Sequence, residues 1–213
     1  MIDTQTFFDR CYCINLARRP DRWQKVVDEI MPEWPFRPLE RYNAIDGDKC
    51  EPPQWWRIAP GAWGGYKSHL NLVEQCLNEG CKSVLIIEDD VILHPDIAEE
   101  AAKFLEDLPS DWDMAYLGGR MLETKIDKDR VTDNVWRAIR VMLTHAVAYS
   151  EQGLHKAYEW FQRANWNRMH AVGQYVDYQL FKHHQTNNIF VPKQWLMIQS
   201  FDQSDVYKGP RHG

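Results

Sequence analysis

The sequence lacks several features that would assign a function directly. No apolar run approaches the roughly 20 residues that a membrane-spanning helix needs, and no hydrophobic signal peptide precedes the first predicted strand. The five cysteines include no CxxC pair, which disfavours a zinc site, and their odd number favours free thiols in a reducing compartment. The net charge of −6 comes without a basic stripe, which argues against a nucleic-acid partner. We therefore expect a cytoplasmic protein with no membrane span.

The order of predicted elements indicates an α/β fold. The 213 residues are enough for one large domain with a sizeable core. No linker divides two cores, so residues 1–213 are interpreted as a single domain, and the polar tail is compatible with a chain that continues past Gly213. Apolar periodicity and turn residues predict strands at 10–16, 39–44, 84–87, 113–119, 138–143, 146–150, 189–191 and 195–198, a loop at 120–135, and helices at 21–30, 61–80, 96–108, 151–163 and 176–183.

An acidic triplet directly follows the most apolar predicted strand. Glu88, Asp89 and Asp90 come after residues 84–87, and no Lys or Arg lies within five residues of them. Neighbouring carboxylates repel by about 1 kcal/mol per pair in water, so the cluster favours a cation. Carboxylate oxygens suit Mg²⁺ or Mn²⁺, and open α/β sheets bind ligands at the carboxyl ends of their strands. The alternative is a solvated acidic turn. Alternation along a strand predicts Glu88 and Asp90 on one side and Asp89 on the other.

Two further patches have the composition of an anion site. Arg18, Arg19 and Arg22 form the densest positive patch of the chain, directly after the first predicted strand. A phosphate-bearing ligand and a solvated helix start are both consistent with this pattern. Gly64 and Gly65 lie in the first turns of the helix at 61–80, where glycines let a ligand approach closely and the helix start favours anions.

Several stretches, taken together, resemble glycosyltransferase family 25, which contains lipooligosaccharide and procollagen galactosyltransferases. The chain departs from the family pattern at Tyr66, where a cysteine is common, and is unusually compact. Compact domains of this kind also occur within larger proteins of big DNA viruses. The matching stretches follow the family's order: CINLARRPDRW at 13–23, AIDG at 44–47, GAWGGYKSHLNLVEQCLNEG at 61–80, VLIIEDDVIL at 84–93, DWDMAYLGG at 111–119, THAVAYSEQG at 144–153, VDYQL at 176–180, then Gln199 and Ser204-Asp205.

The resemblance implies a GT-A fold, with a mostly parallel mixed sheet between helices. It also implies an inverting transfer of a hexose from a nucleotide sugar, UDP-linked, to a hydroxyl of a glycan or glycoprotein. A Mn²⁺ or Mg²⁺ would be held by a DxD-like motif, with Asp90 as a direct ligand and with His212 or Asp205 as a further one. The residues implied in donor binding are Asn15, Arg18, Arg22, Asp46, Lys67, Ser68, Glu88 and Asp89. Of these, Glu88 would approach the ribose or share the metal.

On the acceptor side, Asp177 matches a recurrent acidic position and is implied as the general base that deprotonates the acceptor hydroxyl. The alternative is an acidic residue that offsets the dipole of its helix. His145 is a candidate contact to the acceptor or donor, and its alternative is a core histidine.

Two other classes of protein are compared with this interpretation. A metal-dependent phosphohydrolase is disfavoured because Val91 and Ile92 stand where its second acid is needed. A non-catalytic carbohydrate-binding module would use some of the ten tryptophans as stacking platforms, although most of these rings are expected in the core.

Overall fold

The computed structural model describes residues 2–121, 130–163, 174–200 and residue 205. We number the strands β1–β9 and the α-helices α1–α6 within these residues. In chain order they are α1 Thr4–Phe7, β1 Arg10–Asn15, α2 Pro20–Lys25, β2 Leu39–Asn43, α3 Pro60–Asn78, β3 Ser83–Glu88, β4 Val91–Leu93, α4 Ile97–Asp107, β5 Met114–Met121, β6 Val135–Arg137, β7 Val141–Ser150, α5 Glu151–Arg163, α6 Val176–Phe181, β8 Ile189–Pro192 and β9 Met197–Gln199.

Seven strands form one mixed sheet in the order β2-β1-β3-β7-β5-β8-β6. β1 pairs in parallel with β2 and β3, and β5 pairs in parallel with β8. β7 is antiparallel to both β3 and β5, and β6 is antiparallel to β8. Five strands therefore share one direction, which confirms the predicted mostly parallel α/β sheet. β4 and β9 form a separate antiparallel ribbon.

Helices cover both faces of the sheet because its central strands are apolar on both sides. All four residues at 84–87 are fully buried, as predicted for a central strand. Val84 and Ile86 pack with residues of α3, α5 and α6, whereas Leu85 and Ile87 pack with residues of α4 and of the segment after α2. Cys11 and Cys13 both lie in this second cluster, which confirms that they face the same way and pack in the core.

The start of α2 and the end of α3 are found at the predicted signals. Pro20 occupies the first turn of α2, and a π-helical turn at Val26–Ile30 continues it. α3 ends before Gly80, whose φ of +73° is readily adopted by glycine. At its other end α3 packs tightly on the loop after β2, because Gly64 has no side chain: an added Cβ would lie 2.4 Å from the carbonyl oxygen of Ile45.

Two predictions for residues 120–150 are wrong. Residues 138–140 are not a strand, and β7 runs without a break from Val141 to Ser150. Leu143 adopts a φ of +73°, which is uncommon for a bulky residue, where the pairing of β7 with β5 shifts register between Ala146 and Met142. The predicted loop at 120–135 is confirmed at residues 131–134, its residues 122–129 lie outside the described ranges, and β5 and β6 reach into its two ends. Among the residues described, no helix combines the length and the apolar character that a membrane span requires.

Candidate functional site

A cleft of about 840 Å³ opens where β1 and β3 end. Its walls come from the loops after β1 and β2, the start of α3, the middle of β7, the start of α6 and the segment after β9. Predicted site residues that line it are Arg18, Arg22, Asp46, Ser68, Glu88, Asp89, Asp90, His145, Asp177 and Asp205. Asn15 and Lys67 are not among the described residues of its lining. His212 lies outside the described residues.

Arg22 brings a positive charge into the acidic triplet. Its Nη1 lies 2.8 Å from Asp89 Oδ1. The same nitrogen lies 3.8 Å from Oδ2 of Asp90 and 3.8 Å from Oδ2 of Asp205. The Arg22 side chain is only 8% exposed. Burial raises the pKa of the Asp89 carboxyl, although Arg22 opposes that shift. The cation that the acidic cluster needs is therefore supplied in part by the chain itself.

Asn15 supports this network from below the cleft. The residue is 1% exposed, and its amide nitrogen donates to Asp89 Oδ2 at 2.6 Å. Its amide oxygen accepts from Nε of Arg41 at 2.9 Å. Because both ends of the amide are engaged, a contact between Asn15 and a nucleoside would require these hydrogen bonds to rearrange.

The other two arginines of the patch hold Asp205. Arg18 Nη1 donates to Asp205 Oδ1 at 2.6 Å, and Arg19 donates to Asp205 Oδ2. Arg18 also donates to Asp46 Oδ2 at 3.1 Å, which links the loops after β1 and β2. Burial would raise the pKa of Asp205, but the hydrogen bond and charge of Arg18 and the charge of Arg19 lower it. The predicted metal ligand Asp205 is thus an ion-pair partner of arginines in this structure.

Of the two predicted donor-binding residues on α3, Ser68 forms hydrogen bonds within the protein. The Ser68 hydroxyl is fully buried, accepts from the backbone N–H of Ile45 at 2.8 Å and donates to the carbonyl of Gly64 at 2.7 Å. It therefore fixes the loop after β2 against α3. Lys67 is partly buried on the same helix, beside this contact.

Glu88 has partners that are quite different from those of Asp89 and Asp90. Its Oε1 accepts from Thr144 Oγ1 at 2.9 Å and lies 3.5 Å from His69 Nε2. Burial alone would raise the pKa of Glu88, but His69, His145 and Thr144 lower it to about 2. The predicted sharing of one side by Glu88 and Asp90 is wrong, because β3 ends at Glu88 and the chain turns there.

His69 was missed by the sequence reasoning. It lies on the same face of α3 as Tyr66, Leu70 and Val73, all of which are buried. A polar residue within that apolar face was the available signal.

Asp177 lies across the cleft at the start of α6. Its Oδ2 accepts from the backbone N–H of Leu143 at 3.1 Å, and its Oδ1 accepts from the N–H of Tyr178 at 2.8 Å. Burial raises the pKa of Asp177, and the charge of Glu88 adds to that rise, against the two backbone hydrogen bonds. The left-handed backbone of Leu143 is thus part of the support of this carboxylate.

His145 also faces this region. It is buried, and its Nε2 lies 3.3 Å from the carbonyl oxygen of Met197. The ring both lines the cleft and contacts the backbone of β9.

The oxygen donors near Asp90 fit a hard divalent cation only if a ligand completes its coordination. No three His, Cys, Asp or Glu side chains of the described ranges are grouped so that they alone could hold a metal. The Asp90 carboxylate is 3% exposed and has the amide nitrogen of Gln199 at 3.5 Å. Mg²⁺ typically takes one or two carboxylates and completes its shell with phosphates and water, which this arrangement allows.

Comparison with known proteins places this chain in a family. The family model described as glycosyltransferase family 25 (LPS biosynthesis protein) matches residues 8–179. Mouse procollagen galactosyltransferase 2 is 24% identical over 148 residues, which are 60% of this chain and 23% of that protein. The human inactive glycosyltransferase 25 family member 3 is 26% identical over 136 residues, which are 54% of this chain and 22% of that protein. The chain thus spans less than a quarter of the length of these relatives.

A solved structure supports the fold. A glycosyltransferase involved in the glycosylation of the major capsid of PBCV-1 superposes with a TM-score of 0.50 over 92% of this chain and 94% of that one, at 10% sequence identity. Because the family model covers most of the sequence and includes the acidic triplet, the arginine patch and Asp177, the chain belongs to glycosyltransferase family 25.

Proposed function

We propose that this chain transfers a hexose from a nucleotide sugar, UDP-linked, to a hydroxyl group of a glycan or glycoprotein, with inversion at the anomeric carbon. The observation that carries the proposal is the cleft itself, which brings Arg18 and Arg22, the acidic triplet and Asp177 together. Within it, the contacts of Glu88 with His69 and Thr144 lower the pKa of Glu88 against the effect of burial, whereas burial raises the pKa of Asp177. In such a pair one carboxylate, here Glu88, stays ionised, and the other, here Asp177, can accept a proton.

Asp177 is the general base in this proposal. Its carboxylate accepts the proton of the acceptor hydroxyl while that oxygen forms a bond to the anomeric carbon. The bond between that carbon and the nucleoside diphosphate breaks on the opposite face, and the electron pair leaves with the diphosphate. The N–H groups of Leu143 and Tyr178 hold the carboxylate in place for this step. General-base catalysis of this kind contributes about 10²–10⁴ in rate.

The arginines serve the leaving group. Arg18 and Arg22 line the cleft, and guanidinium groups form strong charge-assisted hydrogen bonds to phosphate oxygens. Charge that develops on the departing diphosphate is thereby stabilised within a partly dehydrated site. A Mn²⁺ or Mg²⁺ at Asp90 would add Lewis-acid stabilisation of the same charge. Asn15 and Asp89 keep Arg22 in position.

The test separates binding from transfer with three carboxylate variants. Calorimetry with UDP and Mn²⁺ and a product assay with UDP-, GDP- and CMP-sugars are run on Asp90→Asn, Asp177→Asn and Asp111→Asn. Asp111 is the control because its carboxylate lies outside the cleft, where it accepts from Asn188. We expect Asp177→Asn to retain UDP binding and lose at least about 10² in turnover. Asp90→Asn should lose metal-dependent binding, and Asp111→Asn should match the wild type.

Three results would contradict parts of the proposal. Equal donor affinity of the wild type and Asp90→Asn argues against the metal site, and full turnover by Asp177→Asn argues against the base. A wild type that binds donors without turnover would support a non-catalytic binding module, which one relative's name makes worth testing. The tryptophans do not favour that reading, because Trp56, Trp112 and Trp136 are buried and the other described ones are partly buried.

A further inference from the structure

The two oxygens of Glu88 have different surroundings. Thr144 Oγ1 and His69 Nε2 both approach Oε1, at 2.9 and 3.5 Å. Within the part of the chain that the structure describes, Oε2 has no hydrogen-bond partner. The Glu88 side chain is 28% exposed and lines the cleft. One oxygen is therefore fixed to the protein, and the other is available to a ligand.

Thr144 donates a hydrogen bond to Oε1, and a ring nitrogen of His69 lies near the same oxygen, so the two neighbours of Oε1 come from separate elements. His69 lies on α3 and is 2% exposed, and Thr144 lies on β7 and is 5% exposed. Burying polar groups costs free energy unless they form hydrogen bonds. His69 Nδ1 is buried without a partner among the described residues, so this placement is not optimal for stability alone. Because this arrangement lowers stability and lies at the wall of a cleft, it indicates that these side chains serve ligand binding.

Glu88 also lies near the proposed reaction centre. Its charge acts on Asp177, which is the proposed general base. Leu143 and Thr144 are adjacent in β7 and donate to Asp177 and Glu88 respectively, which places the two carboxylates near each other at the cleft. Sugar hydroxyls donate well to an ionised carboxylate, and such charge-assisted bonds are stronger than neutral ones.

We infer that His69 and Thr144 are positioning residues that hold Glu88 Oε1, so that Oε2 accepts a hydrogen bond from a hydroxyl of the transferred hexose. This inference rests on the proposed function and adds two residues and a specificity contact to it. A clamped carboxylate loses little rotamer freedom when the sugar binds, which strengthens the contact. Without the clamp the same carboxylate has to be ordered by the ligand.

The experiment uses matched variants of Thr144. Thr144→Val has the same shape without the hydroxyl, and Thr144→Ser keeps the hydroxyl. Thr132→Val is the control, because Thr132 Oγ1 also donates to a carboxylate oxygen at 2.9 Å, that of Asp107, away from the cleft. Affinities for UDP, UDP-galactose and UDP-glucose are measured by calorimetry with Mn²⁺. Melting temperatures show that each variant folds.

We expect Thr144→Val to raise the Kd of the UDP-sugar that the wild type binds more tightly by about tenfold, the usual effect of losing one charged hydrogen bond. The Kd for UDP should stay within about twofold of the wild-type value. Thr144→Ser should restore wild-type affinity, and Thr132→Val should change neither. His69→Leu should repeat the loss, and His69→Gln, which keeps an amide donor near the position of Nε2, should recover part of it.

Several outcomes would overturn the inference. An equal loss for UDP and UDP-sugar would place the contact at the nucleoside, and unchanged affinity of Thr144→Val and His69→Leu would show that the clamp has no role. A wild type that binds UDP and both UDP-sugars equally well makes no sugar contact. A wild type that binds none of the three compounds refutes the proposed function itself, and the inference with it.

Discussion

Replacing Arg22 tests whether the chain provides its own cation for the acidic turn. Arg22→Gln removes the charge and leaves Asp89 and Asp90, whose side chains are 9% and 3% exposed, without it. Removing one partner of a buried ion pair typically costs about 3–5 kcal/mol, because the remaining charge stays buried. We therefore expect the free energy of unfolding to fall by about that amount at pH 7. Arg22→Lys should lose less, since it keeps a point charge but not the guanidinium geometry.

The matched control is an exposed pair of the same residue types. Arg10 Nη1 lies 3.2 Å from Glu40 Oε1, and the two side chains are 46% and 45% exposed. Pairs of this kind contribute about 0–1 kcal/mol, so Arg10→Gln should hardly change the midpoint of urea denaturation. If Arg22→Gln and Arg10→Gln differed by less than about 1 kcal/mol, the buried network would not have the importance that its geometry indicates.

A divalent cation provides a second readout of the same reasoning. In Arg22→Gln the carboxylates of Asp89 and Asp90 lose their internal counter-charge, so Mn²⁺ should bind there and restore stability. At a cation concentration of 100 times its Kd the gain is about 2.7 kcal/mol. The same Mn²⁺ should not stabilise Arg10→Gln relative to the wild type. No recovery with Mn²⁺ in Arg22→Gln would show that the acidic turn does not prefer cations.

Two adjacent glycines and one carboxylate give the remaining predictions. Gly64→Ala should lower the free energy of unfolding by about 1–3 kcal/mol in urea denaturation, because its Cβ would lie 2.4 Å from the Ile45 carbonyl oxygen. Gly65→Ala, whose Cβ meets nothing within 4 Å, should raise it by about 0.5–1 kcal/mol, and the reverse order would contradict the packing of α3. The raised pKa of Asp177 predicts that turnover falls as pH decreases through a value above the ordinary aspartate range. The wild type should also lose stability relative to Asp177→Asn as pH rises through that pKa, since ionising Asp177 costs more in the folded state; parallel stability curves would refute this.

Local patterns in the sequence were sufficient for most of the sheet. Residues 84–87 form the buried strand that their apolar run predicts. The sequence predicts two strands within β7 because polar Thr144 and His145 interrupt its apolar pattern. Both residues are buried at the cleft, where polar side chains have partners that the sequence does not show. The left-handed backbone of Leu143 likewise depends on tertiary contacts and not on the preference of leucine.

The charge balance of the site could not be derived from neighbouring residues. Counting basic residues within five positions of the acidic triplet found none, yet Arg22 contacts Asp89 from 67 positions away. Sheet topology explains the contact, because β1 and β3 are parallel neighbours whose carboxyl ends meet. The arginine patch at 18–22 and the acidic triplet each stand out in the sequence. Their mutual neutralisation becomes visible only when the strands are paired.

The antiparallel position of β7 beside β3 has a consequence for exchanging parts of such a chain. The described residues that line the cleft fall into two stretches of the sequence, residues 14–90 and residues 119–205. The two stretches contact each other there, because Thr144 donates to Glu88 and Arg18 donates to Asp205. A chimaera that exchanges the later stretch with that of a relative would keep these contacts only if the relative has a hydroxyl at the position of Thr144 and an acid at that of Asp205.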